Sequence, residues 1–107
     1  MPIITELMLL ECYEAFKNGD KNFIPEGMND TSAKMTMTWL DSLFSGKPYH
    51  RDGSALQYKL ILERIKNDYG REQLLKAKSV LMEHCEWSLK KHNKKRISHR
   101  KILNSFG

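Results

Sequence analysis

No glycine or proline interrupts the chain between Arg71 and Phe106. These are the two residues that cost most in a helix interior, so a stretch without them is free to run on as helix. The six glycines and three prolines of the whole chain fall between its apolar-periodic segments or at its ends. Together they predict an all-α protein: a compact four-helix domain over residues 1–89, then a basic C-terminal segment, 90–107, that forms a short helix on the fourth or extends it. With 107 residues, 40% of them hydrophobic, the chain has material for one core.

The helices are placed by spacing. From about Ile3 to Asn18, Ile4, Met8, Leu9, Cys12, Ala15 and Phe16 share one side at 100° per residue. Leu7 and Leu10 fall instead among the glutamates, which predicts a helix buried on two sides or one with a face for a dimer or partner. A loop over residues 20–30 follows, with Phe23, Ile24 and Met28 tucked onto the core. The second helix, about Thr31 to Ser45, takes its cap from Asp30, Thr31 or Ser32. Its apolar arc is Met35, Trp39, Leu40, Leu43 and Phe44. The third, about Ser54 to Tyr69, carries Tyr58, Ile61, Leu62, Ile65 and Tyr69, and Gly70 ends it. A short turn there makes helices three and four an antiparallel hairpin. The fourth helix has Leu74, Ala77, Leu81, Met82, Cys85 and Leu89 as its stripe. Val80 and Trp87, seven apart, lie on a second side.

Past Leu89 there are two readings. Ser98 capping a new helix, with Ile97 and Ile102 as a hydrophobic staple, predicts a break. A continuous helix would place Lys90, Lys94 and Lys101 on one flank. The break is preferred, and it brings Leu103 and Phe106 back over Val80 and Trp87. The competing expectation is that Val80 and Trp87 meet a protein partner or a second copy of the chain.

Charge gives the functional lead. The formal net charge is +5, yet Ser88 to Gly107 holds seven cations (Lys90, Lys91, Lys94, Lys95, Arg96, Arg100, Lys101) and no carboxylate. The rest of the chain has 11 basic against 13 acidic side chains, a balance of −2. Such segregation points to a polyanion, since lysine and arginine pair with phosphates and release their counterions. Lys47 and Arg51, beside Tyr49 in the second loop, form a smaller basic-aromatic candidate. By composition alone KKHNKKR also resembles a nuclear-localisation patch. The expected function is a non-catalytic accessory or regulatory protein that binds DNA or RNA through phosphate contacts. The alternative is a small helical adaptor or inhibitor of a larger protein machine.

Other classes are disfavoured. Cys12, His50, His84, Cys85, His92 and His99 include no paired spacing that builds a zinc site, and no glycine-rich phosphate loop occurs. Neither cofactor nor metal is expected, and no residue stands out as catalytic. Cys12 and Cys85 sit among apolar residues and read as buried free thiols. Tyr69-Gly70-Arg71 is a short turn, but its flanking helices are too long and amphipathic for a helix-turn-helix. The apolar start lacks a positive leader or cleavage site, and no stretch approaches a membrane span. A cytoplasmic protein is expected.

Overall fold

A computed structural model describes residues 5–47, 49 and 54–106. It contains five helices, α1 (Glu6–Lys17), α2 (Asp30–Ser45), α3 (Ala55–Tyr69), α4 (Arg71–His92) and α5 (Ile97–Ser105), and no strand among the described residues. Contacts divide the chain into two compact units, Met1–Asp41 and Ser42–Gly107, the division falling within α2.

In the first unit, α1 starts where the Thr5 hydroxyl accepts from the Met8 amide at 3.1 Å, satisfying one of the free donors of the first turn. Ile3 and Ile4, expected within this helix, lie outside the described residues. Leu9, Cys12 and Tyr13 are buried along one side. Of the loop residues expected to tuck inward, Met28 is buried and Phe23 half-buried, while Ile24 is exposed. Gly27 is required by its place: its φ is +88°, and a Cβ there would lie 2.8 Å from the Met8 methyl carbon. The cap of α2 is Asn29, one residue earlier than expected, its side-chain oxygen accepting from the Ser32 amide at 2.7 Å. Ala33, Thr36, Met37, Trp39 and Leu40 are buried, and Met35, assigned to the arc by its apolarity, is 44% exposed. Thr36 is tolerated inside because its hydroxyl donates to the Ser32 carbonyl at 2.8 Å.

In the second unit, the Gln73 side-chain amide donates to the Phe44 carbonyl at 2.6 Å, satisfying one of the last carbonyls of α2. Ser54 caps α3 by accepting from the Gln57 amide at 3.2 Å. Tyr58, Ile61, Leu62 and Ile65 are fully buried, as their spacing predicts, whereas Tyr69 is 46% exposed and rests its ring edge-on against Phe44. Gly70, at φ 88° and ψ −169°, occupies backbone space open essentially to glycine alone. It joins α3 to α4, which pack on each other.

The buried side of α4 is rotated from the expected one. Leu74, Ala77, Leu81 and Cys85 are inside as predicted, but Val80, His84 and Ser88 join them, and Met82 and Leu89 are 50% and 40% exposed. Positions 77, 81, 84 and 88 follow helical spacing closely. Two of them are polar, and their identity hid the stripe.

The α4–α5 break occurs, for a different reason from the staple. Asn93 takes the left-handed conformation (φ 54°, ψ 35°) and closes α4, while Arg96 (φ 50°, ψ 53°) precedes α5. Ile97 is the first residue of α5 and 62% exposed, and the helix has no side-chain cap. Lys90, Lys94 and Lys101 therefore share no helical flank. α5 packs on both α3 and α4 and buries Leu103. A left-handed residue with a Cβ costs roughly 1 to 2 kcal/mol unless it is asparagine or glycine. Asn93→Gly should accordingly leave stability unchanged or slightly raised, and Asn93→Val should lower it by about 1 kcal/mol or more, read from urea unfolding midpoints.

Candidate nucleic-acid interface

The basic segment folds as the last turn of α4, a short reversal and the start of α5. Lys90 and Lys91 occupy the last turn of α4 with His92, where positive charge also complements the helix dipole. Lys94 and Lys95 lie in the reversal and Lys101 on α5, and all five lysines are exposed.

The arginines do something else. Arg96 is half-buried, and its Nε donates to the hydroxyl of buried Ser88 at 3.0 Å. Arg100, also half-buried, donates from Nε to the Lys95 carbonyl at 2.9 Å. Together they brace the reversal and leave the lysine ammonium groups outside. Asn93 and Arg96 are the only non-glycine residues with positive φ among those described. Asparagine adopts this conformation readily, so the cost of the turn falls on Arg96.

The second basic segment lies apart. A Cβ built on Gly46, next to exposed Lys47, would lie 3.9 Å from the Lys76 side chain, near the beginning of α4. At 1.5 Å per residue, Lys76 and Lys90 are roughly 21 Å apart along the helix. Lys47 is therefore at the other end of α4 and does not extend the lysine cluster. Arg51 lies outside the described residues.

Val80 is 1% exposed and offers no surface to a partner. Trp87 is half-buried, between the rings of His84 (centroids 5.9 Å apart) and His92 (5.1 Å, edge-on). Tyr58 stands behind His84 at 6.2 Å and meets buried His99 edge-on at 5.5 Å. This aromatic group spans α3, α4 and α5 beneath the basic turn. Sequence reasoning missed it because histidine carries no burial signal. Its only trace was the spacing of His84 and Ser88 with Ala77 and Leu81.

No group of three or more histidine, cysteine, aspartate or glutamate side chains among the described residues could hold a metal ion. Cys12 and Cys85 are buried, and neither is in a disulfide. Burial pushes the Cys85 thiol up, outweighing the guanidinium charges of Arg100 and Arg96 that pull it down, and Glu86 adds to the rise. Such a thiol is protonated and unreactive at neutral pH. Cys→Ala at either position should cost about 1 to 2 kcal/mol, at or below the low end for buried large-to-small changes. A thiol-titrating disulfide reagent should label neither cysteine until denaturant is added. Rapid labelling of Cys85 in native protein would contradict its placement.

No described helix is long and apolar enough to cross a membrane. The chain matches no known protein family, no curated protein and no solved structure.

Proposed function

We propose that this chain is a non-catalytic nucleic-acid-binding accessory or regulatory protein that grips phosphates with the α4–α5 turn. The observation that carries the reading is the lysine cluster Lys90, Lys91, Lys94, Lys95 and Lys101. All five are exposed on a turn that Arg96 and Arg100 hold in shape, in a segment without a carboxylate. Such a surface matches repeating phosphate charge and carries little for reading bases, so binding is expected to tolerate sequence.

The test is a titration of labelled duplex DNA, duplex RNA and single strands at several salt concentrations. If three to five phosphates are neutralised, the logarithm of the association constant falls with that of salt with a slope of roughly −3 to −5. No binding at about 50 mM salt, where such contacts are strong, or affinity indifferent to salt, would remove the reading.

A further inference from the structure

We propose that the outer face of α1 is a docking groove for a basic amphipathic helix of a protein partner. The groove belongs to the first unit alone and is independent of the basic turn. Its floor comes from the side of α1 opposite buried Leu9, Cys12 and Tyr13: Leu7, Leu10, Glu11, Glu14, Ala15 and Asn18 recur at the three-and-four spacing of one helical face. The wall is made by the chain after α1. Gly19, at φ +85°, reverses its direction, the Asp20 amide donates to the Ala15 carbonyl at 2.9 Å, and the Asp20 carboxylate accepts from the Asn22 amide at 3.2 Å. Asp20 and half-buried Phe23 are thereby held beside the helix. The resulting groove has a volume of about 520 Å³.

The chemistry of the groove selects its occupant. Leu7, 69% exposed, with Leu10, Ala15 and Phe23, offers apolar surface that a purely ionic ligand would not cover. Glu11, Glu14 and Asp20 are exposed carboxylates beside it, with Lys17 3.9 Å from Glu14. Residues 1–41 hold seven carboxylates against three lysines, a balance of −4. Nucleic acid and acidic proteins are therefore repelled from this face. An apolar ridge flanked by lysine or arginine is its complement. The stripe from Leu7 to Asn18 is roughly 16 Å long at 1.5 Å per residue, about three turns of a partner helix. Helix-in-groove recognition reads apolar anchors at that same repeat.

The experiment uses the full chain and a labelled synthetic helix with leucines at i, i+3, i+4 and i+7 and lysines elsewhere. A second peptide has glutamates in place of the lysines. Fluorescence anisotropy should show micromolar binding of the lysine peptide and none of the glutamate peptide. Glu11→Lys with Glu14→Lys should weaken binding at least tenfold, and so should Leu7→Ser, at a site too exposed to endanger folding. Amide shifts should map to α1 and residues 19–23, and nucleic-acid affinity of the Leu7→Ser protein should not change. The proposal is overturned if the lysine peptide fails to bind, if neither variant weakens it, or if the shifts fall elsewhere. It is also overturned if the free protein self-associates in sedimentation and Leu7→Ser abolishes this, which assigns the groove to a second copy.

Discussion

Replacing Lys90, Lys91, Lys94 and Lys95 together by glutamine is expected to lower nucleic-acid affinity by roughly a hundredfold or more at about 100 mM salt. Each lysine on a phosphate contributes close to one unit to the salt slope, so the slope should fall by about three to four. The loss should be similar for every sequence tested, because phosphates carry no base identity. All four side chains are exposed, so the fold should survive. The loss of charge from the last turn of α4 should cost about 0.3 to 1 kcal/mol for each of Lys90 and Lys91. Arg96 is kept in this variant because its bond to Ser88 would confound binding with folding. Undiminished affinity in the fourfold variant would show that the turn is not the binding surface.

The second large effect concerns α5. Removing residues 97–107 strips Leu103 and His99 from the α3–α4 pair, and half-buried Ile102 and Phe106 with them. One well-buried leucine is worth about 1.5 to 3 kcal/mol, so the truncation should cost about 3 kcal/mol or more. At 4 to 8 °C per kcal/mol for a domain of this order, Tm should drop by more than about 10 °C. Leu103→Ala is the milder probe, expected to cost about 2 to 4 kcal/mol. Trp87 reports locally: with α5 gone, the rings around it lose their cover and its emission should shift red. Trp39, fully buried in the other unit, should contribute little to that shift. An unchanged Tm after truncation would mean that α5 docks too weakly to hold the turn.

How far these features were legible depends on what kind of residue announces them. The α3 stripe was plain because Tyr58, Ile61, Leu62 and Ile65 are all large and mostly apolar, so spacing and composition agree. On α4 they disagree. Met82 and Leu89 are apolar yet exposed, and His84 and Ser88 are polar yet buried, so a reading by hydrophobicity turned the helix too far. The α4–α5 break was expected on the staple of Ile97 and Ile102, while its cause is the left-handed pair Asn93 and Arg96, and only the asparagine hints at that geometry. The division of contacts within α2 left no mark, since neither glycine nor proline lies between Asp30 and Ser45. The lysines were legible because net charge survives any arrangement of the chain. The bracing by Arg96 and Arg100 was not, because which cations turn inward depends on where the helix stops. Leu7 and Leu10 could be seen among the glutamates, but the wall of Asp20 and Phe23 exists only once Gly19 has reversed the chain.

The bonds of Arg96 and Arg100 also set which sequence changes this turn can absorb. Both are made by Nε, a donor that lysine does not possess. Drift between lysine and arginine is therefore asymmetric. Lys90, Lys91, Lys94 and Lys95 can each become arginine with charge and exposure preserved. The reverse exchange at 96 or 100 keeps the same formal charge and removes a tie that fixes where the other charges point. Two positions that a tally of charge would count as equal to their neighbours are thus the least replaceable in the segment.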